Sequence, residues 1–511
     1  MPVSAASKWT IAVVATWLVT TALWLTPGLP RPDGVGYFAY LPSTWLDRDL
    51  LFFDEWAQMR LVRPDEILFK DPTPTGHLGN HWTAGASVAW YPFYLVGNAL
   101  ARVHGDSGGF TVWHISAVAF ASALAALFTL LASMRLAQRF FGAGTSAGAT
   151  IAIWLGSPLA FYGTRHATMS HAISAAACAL VVLLSLKLRD GVTASRVFAV
   201  GMAIGFACAV RPQNIVIGFV PLLLAPMLRQ SHFLIAGALL GGMPQLLVSQ
   251  FIYGGPLVFV NIGGRAHSWQ MFATFTGWET LFSWYHGLAT WTPLLVVAII
   301  GFPFLYRHDR GLGRSAIVTF AAQWLLLSLL ERWFWGGASF GQRRFDSCTI
   351  FFILGVAAIV HRLPKLGAVL TVATTAWTML LFIAATRLNL NRFQPPRELL
   401  DAFGLALGDP HWRSFLGFTP PEMRMSVVIT ALVITLAAAA LIFLTRRHTT
   451  LIAATYLTLV SLFYLWCGLH PKHDALSLGL VTRWERGELP SAAERDMRGL
   501  LKDEAIYLKQ K

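Results

Sequence analysis

The stretch from Pro30 to Trp56 brings carboxylates and aromatic side chains together directly after the first hydrophobic segment. Its acidic residues are Asp33, Asp47, Asp49, Asp54 and Glu55. A carboxylate beside a bilayer costs free energy unless it has a partner or a chemical role. Asp33, at the base of this loop, could take a proton from an attacking hydroxyl at about 2.6–3.2 Å. We interpret Asp33 as the candidate general base; the plainer alternative is that it terminates a helix or hydrates a loop.

Arginines occur in several later loops on the same predicted side of the membrane. A guanidinium stays charged and offers a fork of donors that matches a phosphate. We predict that a lipid-linked phosphate is held by Arg211, Arg265, Arg343 and Arg344. Basic membrane anchors are expected on the inner face, which favours a functional role for the last two over anchoring.

Other polar and aromatic residues of these loops are candidates for substrate contacts. Tryptophan rings can stack on sugar faces, and nearby glycines let a ligand approach the backbone. The predicted substrate-binding residues are Tyr37, Asp47, Asp49, His171, Trp269, His286 and Trp335. The plainer interpretations are a solvated loop face for the acids, an interfacial belt for the aromatics, and a structural role for His286.

The composition requires a membrane setting for these residues. The chain has 511 residues, of which 55% are hydrophobic and only 13% are charged. A soluble globular protein would be nearer one quarter charged. Apolar runs of about 17–22 residues recur along the chain, and each is long enough to cross a hydrocarbon core of about 30 Å. We therefore predict an all-α polytopic membrane protein.

About thirteen spans are predicted from these runs. They cover residues 9–27, 111–134, 142–162, 171–186, 197–210, 214–228, 233–252, 288–306, 315–330, 347–361, 366–386, 425–444 and 449–468. The 197–210 run is short and ends at Arg211-Pro212, which is typical of a broken or tilted segment. We assign 1–468 to one transmembrane catalytic domain and 469–511 to a short polar tail.

Basic residues give the predicted orientation of the spans. Arginine and lysine residues occur in every second loop between the spans, and these loops are expected to be cytoplasmic. The N-terminus then lies in the cytoplasm and the plasma membrane is the predicted location. The first extracytoplasmic loop is the large one, 28–110, and the loops with the candidate site residues face the same side.

One apolar run in the first loop conflicts with this alternation if it crosses. It begins at Trp82 and reads WTAGASVAWYPFYLVGNALARV. A crossing would move every later basic cluster outside, so we predict an interfacial or re-entrant helix with its tryptophans and tyrosines at headgroup level.

Two further patterns predict packing and partners. Gly201/Gly205 and Gly237/Gly241 are small residues four apart, a spacing that lets helices pack closely in lipid. The formal net charge is +14, but the basic residues are scattered as caps between apolar runs, so nucleic acid is not a predicted partner.

In four sequence stretches the chain resembles the GT-C superfamily of polytopic glycosyltransferases, especially the protein-O-mannosyltransferase and aminoarabinose-transferase group. The resemblance covers roughly 9–445. It lies in four stretches in order: DGVGYFAYLPSTWLDRDLLF from Asp33, GNHWTAGASVAWYPFYL, YHGLATWTP and WFWGGASFGQRRF.

The resemblance implies a GT-C-like bundle that transfers a sugar from a polyprenyl-phosphate donor, usually with inversion, to a lipid, glycan or protein acceptor. The family's first-loop acid maps to Asp33. Many relatives carry a second acid directly after it, but this chain has Gly34. A two-carboxylate site in that motif is therefore in doubt, and the need for a divalent metal is left open.

Two other functions compete with this one. A transporter or flippase of a lipid-linked saccharide should place acids near the middle of its spans and show two halves of similar hydropathy. The acids of this chain lie almost wholly in loops. An O-antigen ligase or polymerase would depend on outer arginines and histidines without a first-loop acid.

Overall fold

The computed structural model describes most of the hydrophobic part of the chain. The described residues are 5–30, 33–52, 55, 73–75, 77, 79–105, 108–257, 275–330, 336–385, 387–388, 390, 396–408, 421–445 and 449–469. All regular elements in these ranges are helices, which confirms the predicted all-α class. The predicted polar tail lies outside the described residues apart from Leu469, so the domain boundary stays a prediction.

Nineteen helices are named here in chain order. They are α1 (Ala5–Trp24), α2 (Asp33–Pro42), α3 (Gly85–Val103), α4 (Val112–Ala137), α5 (Ala143–Leu155), α6 (Pro158–Thr164), α7 (His171–Leu186), α8 (Ala194–Val210), α9 (Phe219–Leu224), α10 (Ser231–Tyr253), α11 (Gly277–Phe282), α12 (Leu288–Trp291), α13 (Leu294–His308), α14 (Arg310–Leu330), α15 (Thr349–Arg362), α16 (Pro364–Ala384), α17 (Pro396–Gly408), α18 (Pro421–Thr445) and α19 (Thr449–Leu469). Three short helical segments adjoin these helices. Ser43–Asp47 extends α2, Pro212–Gly218 precedes α9, and Arg343–Cys348 precedes α15.

The apolar helices fall on the predicted spans. Among the described residues, seven helices are long and apolar enough to cross a membrane, and six further apolar helices are shorter. Together these thirteen helices coincide with the thirteen predicted ranges. Hydropathy locates such segments well because a spanning helix must satisfy its backbone internally and present apolar side chains to lipid. The number that cross remains a prediction.

The charged turns between helices gather at one end of the bundle. Phe141, in the turn between α4 and α5, contacts His308 and His361 at ring-centroid distances of 5.0 and 5.5 Å. His308 is the last residue of α13, and His361 lies in the last turn of α15. Arg189, after α7, donates to Asp309 in the turn before α14 at 2.6 and 2.8 Å. These turns therefore lie at the same end of the bundle, and the predicted orientation of that end in the membrane stays a prediction.

Helix α3 is the apolar run of the first loop. Its Trp90 Nε1 donates to Ser122 Oγ of α4 at 2.9 Å, and Gly97 packs on the backbone of Trp113 and His114. Trp90 thus contacts Ser122, and Gly97 contacts His114. Because the later residue of α3 contacts the earlier residue of α4, the two helices run antiparallel. Helix α3 is not among the candidate spans. Its placement at the membrane interface stays a prediction.

Helix α15 is the centre of the bundle. All its residues from Thr349 to Ile359 are buried, and 89% of the span that contains it is buried. A helix that is apolar all round is typical of a position surrounded by other helices. Because the segment Arg343–Cys348 leads directly into α15, the side chains of that segment are held at the entry of the most buried of the described candidate spans.

Helices α8 and α10 pack with their backbones in contact. A Cβ on Gly205 would overlap the Ala238 carbonyl oxygen, and a Cβ on Gly241 would overlap the Met202 carbonyl oxygen. Gly201 and Gly237 face Leu234 and Phe198 in the same way. The predicted glycine pairs are confirmed as the contact surface of two helices, and this contact fixes the end of α8 that carries Arg211.

Replacing Gly205 by leucine should force α8 and α10 apart. The side chain would overlap backbone atoms, which cannot move away as a flexible side chain can, so we expect a loss of about 1–3 kcal/mol. The measurement is the apparent Tm in detergent. Gly148→Ala in α5 is the matched control, since open space lies around Gly148. An unchanged Tm for Gly205→Leu would contradict this packing.

Candidate functional site

An ion pair joins the first loop to the entry of α15. Asp33 is the first residue of α2, and its Oδ2 lies 2.8 Å from Arg343 Nη2. The Arg343 side chain is 9% exposed and that of Asp33 is 20% exposed. The two residues are 310 positions apart in the chain. Tertiary structure therefore brings the predicted base to a predicted phosphate-binding arginine.

The Arg343 guanidinium is held from several sides. Nη2 also donates to the Gly336 carbonyl at 2.7 Å, and Nη1 lies 3.5 Å from Met169 Sδ. The guanidinium carbon lies 5.7 Å from the centroid of the Tyr162 ring, over its face. Such a set of contacts fixes the orientation of the fork before any ligand arrives.

Arg344 anchors the same segment through its backbone. Its carbonyl accepts bonds from Gln213 Nε2 at 2.9 Å and from Gln323 Nε2 at 3.1 Å. A Cβ at Gly336 would lie 3.6 Å from Arg344 Nε and 3.7 Å from Arg343 Nε, so the two guanidinium groups flank one glycine. Gly336 has a φ of +75°, a conformation that glycine adopts without strain.

A second group contains His171, Asp346 and Arg211. His171 Nδ1 lies 3.0 Å from Asp346 Oδ2, and His171 Nε2 lies 3.5 Å from Arg211 Nη1. The carboxylate accepts the proton of Nδ1, which leaves the Nε2 lone pair facing the guanidinium. Arg211 Nη1 also donates to Ser170 Oγ at 3.1 Å, and Arg211 Nε is 3.8 Å from Asp346 Oδ2.

The two groups are joined by a narrow cavity at the entry of α15. Its lining includes Tyr162, His171, Arg343 and Asp346, and its volume is about 20 Å³. That space holds about one water-sized group. Arg343 and Asp346 therefore present a guanidinium and a carboxylate to the same cavity, next to the ion pair of Asp33 with Arg343.

Arg165 is a further arginine near the cluster, and it is not among the predicted site residues. Burial lowers its pKa to about 10, and its Nη1 atom is buried without a hydrogen-bond partner among the described residues. The pKa of His166 is lowered to about 3, first by burial and then by the positive charges of Arg165 and Arg343. The available signal was an arginine in the polar loop between α6 and α7.

Asp346 was also missed, and it completes the charge balance. Four arginines and two aspartates belong to the cluster in the described part of the chain, which gives a net charge of +2. They are Arg165, Arg211, Arg343, Arg344, Asp33 and Asp346. An excess of positive charge in a poorly solvated region favours an anionic ligand.

The predicted residues of the first loop are built into its packing. Tyr37 is buried with its ring edge-on to Trp82 at 6.5 Å. Asp49 is 2% exposed, lies 3.2 Å from Ser43 Oγ and accepts from the Leu51 N–H at 3.1 Å. Asp47 ends the short helix after α2. Substrate contacts by these three residues stay predictions.

His286 holds two loops together. Its Nε2 donates to the Leu390 carbonyl at 2.8 Å, and its ring packs on Trp291 at 4.4 Å. Burial lowers its pKa to about 4, so the ring is neutral at pH 7. This arrangement matches the structural alternative, and a substrate contact stays a prediction.

Arg265, Trp269 and Trp335 lie outside the described residues. Within the described ranges, no group of three His, Cys, Asp or Glu side chains could hold a metal ion.

Comparison with known proteins gives one similar structure. No family model matches the chain, and no curated protein matches it. Among solved structures the chain is similar to "Crystal Structure of ArnT from Cupriavidus metallidurans bound to Undecaprenyl phosphate", with 16% identity and a TM-score of 0.42. The similarity covers 93% of this chain and 78% of that chain.

Proposed function

We propose that this chain is a GT-C-type membrane glycosyltransferase that moves a sugar from a polyprenyl-phosphate donor to an acceptor hydroxyl. The acceptor is a lipid, a glycan or a protein. The observation that carries the proposal is the contact of Asp33 with Arg343 at 2.8 Å within a cluster of net positive charge. A carboxylate base and a cationic phosphate site are the two groups that this reaction needs side by side.

The arginines supply the binding and leaving-group part of the reaction. A sugar-linked phosphodiester carries a negative charge that becomes larger as the bond from the sugar C1 to the phosphate oxygen breaks. The electron pair stays on that oxygen, and guanidinium groups fixed in advance stabilise it. Arg343, Arg344, Arg211 and Arg165 are the candidates for this role, since they stay cationic in a poorly solvated place.

Asp33 supplies the proton-transfer part. The acceptor oxygen forms a bond to C1 on the face opposite the departing phosphate, and its proton passes to the Asp33 carboxylate. Attack from the opposite face inverts the configuration at C1. Donor phosphate competes with Asp33 for Arg343, so binding of the donor would loosen the ion pair and leave the carboxylate a better base.

His171 and Asp346 serve as positioning groups in this scheme. Asp346 orients the His171 ring through Nδ1 at 3.0 Å, and Nε2 faces Arg211 Nη1 at 3.5 Å. The same carboxylate lies 3.8 Å from Arg211 Nε. This chain of contacts would hold Arg211 in place for a phosphate, in the way that outer groups orient the groups that touch a ligand.

The proposed location follows from the separation of the two bundle ends. The turns around Phe141, His308 and the Arg189–Asp309 pair lie together. Trp9 near the start of α1 packs against Gly144 close to these turns, whereas Asp33 follows the other end of α1. The positive-inside rule assigns the basic end to the cytoplasm. The site then faces the extracytoplasmic side of the plasma membrane, with the N-terminus in the cytoplasm.

The placement of acids favours this enzyme over a transporter. In the described candidate spans, Asp190 and Asp346 lie at the span ends, and none of the acids lies at mid-span. A proton- or ion-coupled transporter places its carboxylates near the membrane centre.

Mass spectrometry of cell-envelope glycans tests the proposal. A deletion strain should lose one glycoform or lipid form that is heavier by a single sugar residue, and the wild-type gene should restore it. The Asp33→Asn gene should fail to restore it at equal expression. Identical glycans in the deletion and complemented strains would overturn the proposal, and full restoration by Asp33→Asn would favour a transport role.

A further inference from the structure

A second cavity opens beside the far end of the α2 segment. It is lined by Trp45, Arg48, Arg102, Phe463 and Trp466, and its volume is about 360 Å³. It shares no lining residue with the narrow cavity at the entry of α15. We call these five residues the aromatic groove. The mechanism proposed above uses none of them.

The walls of the aromatic groove are aromatic rings from two elements. Phe463 and Trp466 of α19 stack at 6.2 Å with an interplanar angle of 14°. Trp45 stands edge-on to Tyr91 at 6.3 Å. Trp45 and Trp466 are 37% and 40% exposed. Partly exposed tryptophans at a helix end are typical of the headgroup level of a membrane.

Two arginines give the groove its charge. The Arg48 guanidinium carbon lies 6.0 Å from the Trp466 ring centroid, over the ring, which is a cation–π contact. Arg102 lies in the last turn of α3 and is exposed. The lining contains no acid, so its charge is +2. The two sequence neighbours of Arg48, Asp47 and Asp49, balance this charge, so the attraction for a phosphate comes from the two exposed guanidinium groups and not from a net charge of the region.

The backbone at Arg48 fixes that cation in place. Its φ is +63°, a left-handed conformation that is uncommon for a residue with a side chain. Its N–H closes the short helix by donating to the Ser43 carbonyl. Such a conformation persists where the surrounding structure holds it, and it is found often at ligand sites.

An apolar stripe leads from the groove along α19. Leu459, Leu462 and Leu469 are 60%, 55% and 59% exposed, and with Trp466 they lie on one helix face. The stripe extends from Leu459 to Leu469, about 15 Å along the helix axis, which is enough for part of an acyl chain to lie against it. Cationic groups at one end and an apolar face beneath them match the two parts of a phospholipid.

We propose that the aromatic groove binds the phosphate headgroup of an anionic membrane phospholipid, with its acyl chains against the exposed stripe of α19. The two guanidinium groups bind the phosphate, and the tryptophan rings cover the glycerol region. This site is separate from the sugar-transfer site and does not depend on the proposed function.

Native mass spectrometry of the purified full-length protein tests the site with phosphatidylglycerol as the probe and phosphatidylcholine as the neutral comparison. We expect the wild type to bind phosphatidylglycerol more tightly. Arg48→Gln should weaken this binding by about tenfold or more, and Arg48→Gln with Arg102→Gln should remove the preference, because each substitution deletes a charge-assisted hydrogen-bond donor.

Matched controls separate the site from general surface charge. Arg397→Gln removes an exposed arginine from α17 and should leave the preference unchanged. The measurement is lipid binding and not sugar transfer, so a failure of the glycosyltransferase proposal is distinguishable from a failure of this one. Equal phosphatidylglycerol affinity in the wild type and the double variant would overturn the proposal. Displacement of the bound lipid by millimolar inorganic phosphate alone would also overturn it, since the acyl contacts would then contribute nothing.

Discussion

Replacing Asp33 by asparagine is expected to lower the rate of sugar transfer by about 10²–10⁴-fold, the usual contribution of a positioned general base. The side chain keeps its size, so α2 and its contacts should persist. Donor binding should be retained or strengthened, because Arg343 loses a competing carboxylate at 2.8 Å. The measurements are the single-turnover rate of transfer with saturating donor and the Kd of the donor lipid.

Asp309→Asn is the matched control for this prediction. Asp309 is also paired with an arginine, at 2.6 Å from Arg189, but it lies among the basic turns at the other end of the bundle. Its substitution should leave the transfer rate unchanged. A transfer rate of Asp33→Asn within about twofold of the wild type would remove Asp33 from the mechanism, since loss of a general base costs far more.

Replacing Arg343 by glutamine should have the largest combined effect on stability and donor affinity. The change leaves Asp33 without its partner and removes the donor to the Gly336 carbonyl. Loss of one partner of a buried pair costs about 3–5 kcal/mol. Because Asp33 is 20% exposed, water screens its charge, and we expect a loss of about 2–3 kcal/mol. The KM for the donor should rise by about tenfold or more, since one phosphate contact is lost.

A double-mutant cycle separates the two effects. Asp33→Asn combined with Arg343→Gln should recover part of the thermal stability, because no unpaired charge remains, while transfer stays lost. Arg343→Lys keeps the charge but cannot donate in two directions from a planar fork, so it should restore stability only in part. Additive losses of Tm in the double variant would contradict the ion pair, and an unchanged donor KM for Arg343→Gln would contradict its phosphate role.

The sequence predicted the individual parts of the site better than their arrangement. Residue type and loop position predict Asp33, Arg211, Arg343 and Arg344, and all four lie in the cluster. His171 was chosen as a substrate contact, but its ring nitrogens face Asp346 and Arg211. Arg165 and Asp346 are not among the predicted residues, although Arg165 lies in the loop between α6 and α7 and Asp346 directly follows the stretch WFWGGASFGQRRF.

Hydropathy, glycine spacing and the distribution of basic residues determined the helical class, the position of the spans and the contact surface of α8 and α10. These features are local, since lipid and the helix repeat act on each segment separately. Only the tertiary structure decided that Asp33 meets Arg343 across 310 residues and that Asp346 orients His171 across 175. No local pattern encodes these pairings, because they depend on which helix ends are packed side by side.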